Sequence, residues 1–468
     1  MTTFFDVLFS NISAHFDSNN KQGIPGTFGD ESLFASSWNK GFVVSRDGRL
    51  TRRQSYENVL LVGATGSGKT SRFLLPTLLS LKNCSIVVND PSKELYNLAS
   101  GYLSKYFKLK TLNFSDSSIS SGYNILSRIK KPNDIFKIAS ILVSATLEKG
   151  SSGGDPFWSL QTKTLLSILL RLIQLQPEAY RNMANVSYLL SIFSVKPKII
   201  DAMILNTKDK SLILEFKSLI ATPDKTLQNI TSSAKASLQI FSDPEIAKVT
   251  SVDTISFEEL RQVPTVIFLH NSIADQKYAS TLNSLFFQQF YEFVLSKLPT
   301  KNDLDIMVIL EEASSLYIPV LPVSLANTRK HFVSNLICIQ APQQLDTNYG
   351  KDAENIVNNC VTKCFLPGIT NLSTLKDIET LGGTMHYTDT NGKEKTKKLL
   401  TVEEIRMMHK DQVLILCANH PFVLAKTKPF YQSFKYSRRA SYPPAPFNGE
   451  INQTPIRLIG ESTNEEGK

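Results

Sequence analysis

Cysteine and histidine are sparse in this chain, at 5 and 6 of 468 residues. An odd, scattered cysteine set excludes a disulfide-stapled secreted scaffold and favours a reducing compartment. Cys360 and Cys364 stand four apart, but no further Cys or His completes a zinc set beside them. Cys84, Cys338 and Cys417 fall inside apolar runs, where a thiol is ordinarily buried. Long hydrophobic runs are missing as well. The most apolar stretch, Leu165 to Leu175, is broken by Ser167, Arg171 and Gln174 and falls far short of the ~20 residues that cross a bilayer. Met1 to Lys21 shows no basic leader followed by an apolar segment, so the sequence predicts a soluble chain.

Positive charge is present in modest excess, a formal net +9, which leans toward a polyanionic partner or an anionic membrane surface. Hydrophobic residues make up 42% and charged residues 20%, with 27 Phe and 15 Tyr, the composition of a packed globular protein. Because single cores stop growing near ~250 to 300 residues, a chain of this length predicts two domains.

Short apolar runs ending in turn or polar residues recur at Val59 to Val62, Ile86 to Val88, Thr111 to Phe114, Val266 to Leu269, Ile306 to Leu310, Leu336 to Ile339 and Val413 to Leu416. Such runs suit strands of a parallel sheet buried on both faces, and the helix-length segments between most of them make the pattern βαβ. Asp47-Gly48 favours a tight turn ahead of the first run. The strand rhythm stops between Pro132 and Pro264, where Leu165, Leu166, Leu169, Leu172 and Ile173, and again Leu212, Phe216 and Leu219, share helical faces. The expected organisation is an N-terminal segment 1–40, the first part of a nucleotide-binding domain 41–131, an inserted all-α domain 132–263, the second part of the nucleotide-binding domain 264–435, and a flexible tail 436–468.

Gly63-Ala64-Thr65-Gly66-Ser67-Gly68-Lys69-Thr70 follows an apolar strand and opens a helix, which is the P-loop pattern in its proper context. Glycines let backbone N–H groups turn inward around β- and γ-phosphates, Lys69 adds a point charge, and Thr70 offers a hydroxyl to Mg²⁺. Such a loop requires an acidic partner on a neighbouring strand. The candidate is Asp305-Ile306-Met307-Val308-Ile309-Leu310-Glu311-Glu312, with Glu311 supporting the metal and Glu312 as the base that polarises water. Asp305 lies at the wrong end of that strand. The plainer alternative makes both glutamates the solvated start of a helix. Gln340 ends a third strand and is either a γ-phosphate sensor or a polar loop starter. Arg329 is either a transition-state arginine reaching a neighbouring subunit or part of a solvated basic face. The basic run Lys393, Lys395, Lys397 and Lys398 follows a phosphate backbone or, more plainly, forms a charged hairpin. No Asn-Lys-x-Asp guanine reader and no Leu-Ser-Gly-Gly-Gln transporter signature is present.

Taken in order, these segments resemble the type IV secretion coupling proteins, the TraG/TraD-type ATPases of conjugative DNA transfer. The anchors are the P-loop, Pro76, Val87-Val88-Asn89-Asp90-Pro91-Ser92-Lys93-Glu94-Leu95, Tyr123-Asn124, Asp155-Pro156-Phe157-Trp158, Gln340-Ala341-Pro342-Gln343-Gln344-Leu345 with Tyr349-Gly350, and Leu381-Gly382-Gly383. The resemblance implies an α/β, RecA-like P-loop NTPase with a mainly parallel central sheet and an inserted all-α domain. It further implies a homo-hexamer that hydrolyses ATP with Mg²⁺ and drives single-stranded DNA, with its relaxase and relaxosome proteins, or a protein cargo, into a type IV secretion channel at the cytoplasmic face of the inner membrane. By position, Gly63 to Thr70 bind the nucleotide, Thr70 and Glu311 the metal, and Glu311, Glu312, Arg329 and Gln340 serve catalysis. Asp90 and Glu94 are either nucleotide-proximal or an ordinary strand end and helix start. Two departures stand out: Glu311 replaces the family's usual Asp, and the membrane helices that many members carry at the N-terminus have no counterpart here. A non-hydrolysing receptor platform and another RecA-like translocase are the alternative readings.

Overall fold

The seven apolar runs, joined by a seventh and a ninth strand that the sequence did not announce, assemble into one nine-stranded sheet: β1 (Val59–Val62), β2 (Cys84–Asn89), β3 (Lys108–Leu112), β4 (Thr265–Leu269), β5 (Asp305–Leu310), β6 (Val333–Ile339), β7 (Thr362–Phe365), β8 (Gln412–Cys417) and β9 (Val423–Lys426). A computed structural model describes residues 27–145, 156–270, 276–388, 394–447 and 449–451. The strand order is β9-β8-β7-β1-β6-β5-β2-β4-β3. The pairs β7–β1, β1–β6, β6–β5, β5–β2 and β2–β4 are parallel, and β8 and β9 continue antiparallel at one edge. Every residue of β1, β2, β4, β6 and β7 is buried, the condition under which strands read as continuous apolar runs. Each Val, Leu or Ile so buried contributes roughly 1.5–3 kcal/mol, and that fixes where the strand ends, and hence the site, must lie.

Strand β7 is the exception in sequence. Thr362-Lys363-Cys364-Phe365 carries a lysine that is only 5% exposed, and its ammonium donates to the Cys360 carbonyl at 2.7 Å. Burial pushes that ammonium below its ordinary value. Cys360 and Cys364 are buried free thiols. Strand β3 begins three residues before the apolar run that announced it.

The chain divides into two compact units, residues 1–109, 257–269 and 290–445, and residues 110–256, 270–289 and 446–468. The first holds the P-loop and the strand ends around it. In the second, between β3 and β4, the described residues hold helices and no strand, among them Pro132–Val143, Pro156–Gln174, Met183–Val195, Lys210–Ile220 and Asp224–Leu238. Leu165, Leu166, Leu169, Leu172 and Ile173 are completely buried, and Arg171 ties Asp209 (2.9 Å) to Glu215 (2.7 Å). Asp155, an anchor of the family resemblance, lies outside the described residues.

The two chain ends depart from the simplest expectation. Residues 1–26 and 452–468 lie outside the described residues, yet Phe34 and Ala35 belong to the core. The region after 435, expected as a flexible tail, instead packs through Tyr436, Ala440 and Tyr442. Tyr96 Oη donates to the Ala445 carbonyl at 2.7 Å, and the Ala445 N–H to Ser100 Oγ at 3.0 Å. The Tyr442 ring, 6.2 Å from that of Tyr102 on the helix Glu94–Leu103, helps hold this segment ahead of the loop-forming prolines that follow.

Candidate functional site

The site grows out of the carboxyl ends of β1, β6 and β5. Gly63 leaves β1 with its N–H donated to the Ile339 carbonyl of β6 (3.1 Å). A Cβ at Gly63 would lie 2.6 Å from Ser67 Oγ and 3.0 Å from Leu366 Cβ, so any larger residue there would force its neighbours to shift. Gly66 (φ +79°) and Gly68 (φ +93°) take left-handed backbone, where other residues are strained. Thr65 and Gly66 form the exposed tip. A π turn, Thr70–Leu74, then runs into the helix Leu75–Leu78. Lys69 curls back over the loop, its Nζ donating to the carbonyls of Gly63 (2.6 Å) and Ala64 (3.2 Å). Burial lowers its ordinary value, against the opposing charges of Glu312 and Glu311.

The acidic strand is not the P-loop strand's immediate neighbour, as the sequence suggested. Strand β6 lies between β1 and β5, and the crossing is made by a side chain: Thr70 Oγ1 donates to Glu311 Oε1 at 2.8 Å. Glu311 is 8% exposed, and its second oxygen, Oε2, is buried without a hydrogen-bond partner. Burial pushes the carboxyl up to about 7; the Thr70 bond pulls it down, and the charges of Asp90, Glu94 and Glu312 add to the rise. Its backbone is held by Asn89, whose Nδ2 donates to the Glu311 carbonyl at 2.7 Å. Glu312, next in sequence, is exposed and takes left-handed backbone (φ 54°, ψ 49°), a conformation that costs a non-glycine residue roughly 1–2 kcal/mol. One sharp turn therefore puts one carboxylate in the interior and the next in solvent, close enough that the charge of Glu312 acts on Lys69.

Gln340 follows Ile339, so it stands beside the start of the P-loop; its side chain is exposed and its N–H donates to Gln344 Oε1 at 3.1 Å. Arg329 is not brought to this cluster. It lies half exposed toward the amino ends of the strands, paired with Glu57 at 2.8 Å, two residues before β1. Asp305 stands at that same end, accepting from Tyr56 Oη at 2.7 Å. Asp90 is a helix cap: its carboxylate accepts from the N–H groups of Leu95 (3.2 Å) and Tyr96 (2.7 Å), and burial pushes it up to about 6. The sequence reading passed over Asn89 as a clamp on Glu311; a polar residue closing a wholly apolar strand was the available signal. The basic run forms the strand Glu394–Lys398, fully exposed and paired antiparallel with Thr384–Thr388; Lys393 lies outside the described residues.

The sequence model described as Type IV secretory system Conjugative DNA transfer matches residues 11–446. The chain belongs to this family. A conjugal transfer protein TraG of Escherichia coli is 23% identical over 349 residues, covering 66% of this chain and 52% of its own length, so the chain spans about half of that relative. The bacterial conjugative coupling protein TrwB, solved with sulphate, superposes with a TM-score of 0.69 at 17% identity, over 92% of this chain and 98% of that one. TrwB with ADP and Mg²⁺ superposes at 0.67 and 17% identity, over 90% and 92%. At that identity the likeness speaks for the fold, an α/β RecA-like P-loop architecture with a mainly parallel sheet. Among the described residues, no helix of this family member is long and apolar enough to cross a membrane.

Proposed function

We propose that the protein is an ATP-hydrolysing coupling protein that recruits single-stranded DNA with attached relaxase, or a protein substrate, and drives it into a type IV secretion channel. In this reading it works as a homo-hexamer at the cytoplasmic face of the inner membrane. The observation that carries the proposal is the 2.8 Å contact between Thr70 Oγ1 and Glu311 Oε1, which unites the phosphate loop with a carboxylate delivered from a strand two places away.

The residues fit a magnesium nucleotide. Glu311 Oε2 is a buried oxygen lacking a donor, Ser67 Oγ is another buried polar atom without a partner, and Gly66 and Gly68 hold a turn whose N–H groups can face phosphate. Thr70 and Glu311 would hold the metal and its water, while Lys69 and the loop amides would grip the β- and γ-phosphates. Bound magnesium supplies charge that offsets the phosphate oxygens. Glu312 would accept the proton of the attacking water, Gln340 would read the γ-phosphate, and Arg329, remote from its own P-loop, would serve a neighbouring subunit. TrwB solved with ADP and Mg²⁺ supports the choice of ligand.

Steady-state ATP turnover with and without single-stranded DNA tests the proposal. It expects turnover that DNA stimulates and that Lys69→Ala abolishes. A second reading, a nucleotide-ordered receptor without turnover, draws on Glu311 itself: a carboxyl pushed to about 7 is a weaker metal support at neutral pH. Nucleotide binding with wild-type turnover no higher than that of Lys69→Ala would select the receptor.

A further inference from the structure

On the nucleotide-binding unit, away from the P-loop, cations gather without matching acids. The helix Phe434–Ala440 carries Lys435, Arg438 and Arg439. Arg439 donates to the Leu79 carbonyl and lies over the Tyr102 ring at 4.8 Å. Lys82 lies over Tyr106 at 4.3 Å and Lys105 over Tyr442 at 3.5 Å. Lys435 is held below its ordinary value by partial burial first and then by the charges of Arg439, Arg49 and Lys82, so these side chains share one neighbourhood. Asp305 is taken by Arg52 at 3.6 Å, and among the described residues Lys82, Lys105, Lys435, Arg438 and Arg439 make no ion pair.

Bare aromatic rings stand among these charges. Phe434 is 84% exposed and Tyr431 60%. Asn39 Nδ2 donates to the Arg49 carbonyl at 2.9 Å, which brings in the adjacent Trp38, 90% exposed, and Lys40. Leaving three large rings in water while five cations go unneutralised is unfavourable for an isolated surface. A layer with anionic headgroups over an apolar interior satisfies both, because Trp and Tyr favour that boundary and basic side chains favour its charge. Single-stranded nucleic acid matches the charge too and could stack on the bare rings of Trp38, Tyr431 and Phe434, so an oligonucleotide is the competitor against which the lipid surface is tested.

We infer that this face, built on Lys82, Lys105, Lys435 and Arg438 with Trp38 and Phe434, docks the protein on an anionic phospholipid surface. The inference rests on reading the protein as peripheral at a membrane and supplies the contact. Co-sedimentation of the full chain with vesicles of phosphatidylethanolamine and phosphatidylglycerol, against phosphatidylcholine vesicles, tests it. The expected result is binding to the anionic vesicles alone, weakened by salt. At about fivefold per cation, Lys435→Glu with Arg438→Glu weakens it ~20-fold or more. Phe434→Ser with Trp38→Ser weakens vesicle binding while leaving the affinity for a fluorescent oligodeoxythymidine unchanged. The inference is overturned if wild type ignores anionic vesicles at about 0.1 M salt, or if the charge reversal costs oligonucleotide binding and spares vesicle binding. ATP turnover on the same samples separates the two claims: turnover without vesicle binding overturns the docking face alone, and vesicle binding without turnover leaves it standing while the motor reading fails.

Discussion

The two ends of the central strands are built on opposite terms. Toward the amino ends one buried network is satisfied, although Ser334 Oγ beside it has no partner: Asn58 Nδ2 donates to the carbonyls of Leu325 and Asn359 (both 3.0 Å), Asn335 Nδ2 to Asn58 Oδ1 (2.7 Å), and Tyr291 Oη to Asn335 Oδ1 (2.7 Å). At the carboxyl ends, Glu311 Oε2 and Ser67 Oγ are buried without partners, and Glu312 is strained. A satisfied buried network stabilises and specifies a fold; a buried carboxylate oxygen left without a donor is costly and is relieved by a bound ion or water. The contrast separates the part of the sheet that holds the molecule together from the part that is set up for a ligand.

That contrast can be attacked by mutation from either end. The largest expected effect is that of Lys69→Ala, which should lower ATP turnover by ~10³-fold or more, because it removes the charge facing the transferred phosphoryl group; its melting temperature should match wild type by calorimetry. Glu311→Gln should cut turnover by ~10²-fold and yet stabilise the nucleotide-free protein. The folded carboxyl, raised to about 7, keeps a proton that the unfolded chain releases near its ordinary 4.5. Wild-type stability therefore falls as pH rises through that window, and the variant lacks this slope, gaining up to ~3 kcal/mol at pH 8 and nothing near pH 4 by denaturant titration. Asn335→Ala should do the reverse, losing about 2–3 kcal/mol by leaving Tyr291 Oη and Asn58 Oδ1 without partners while nucleotide affinity stays unchanged. The smallest effect belongs to Glu312→Gly, which should gain roughly 1 kcal/mol in urea unfolding by relieving the left-handed backbone. A Glu312→Gly variant no more stable than wild type would remove strain from the account.

How much of this was readable in the sequence depended on distance along the chain. Gly63 to Thr70 declared itself because its strand, loop and helix are contiguous. Glu311 was legible because a run of apolar residues ending in carboxylates is a local pattern. The insertion of β6 between β1 and β5 was not, since parallel pairing joins residues 277 positions apart (Val59 with Leu336) and leaves no periodicity behind. Strand β7 was hidden by Lys363, which looks like a surface residue until the carbonyl of Cys360 is seen to receive it. Asn58 and Asn335 each stand directly before an apolar run in the sequence; that they meet is a fact of tertiary structure. Arg329 was named for its position after the acidic strand, and the structure pairs it with Glu57 at the end of the sheet away from its own P-loop.

The account turns on Thr70 and Glu311 being the metal corner of a nucleotide site. Calorimetric titration of a non-hydrolysable ATP analogue, with and without Mg²⁺, into wild type and Glu311→Gln tests this most directly. The predicted result is that Mg²⁺ tightens binding ~10-fold or more in wild type and little in the variant, where the charge that supports the metal is gone. An equal gain from Mg²⁺ in both proteins would contradict the assignment.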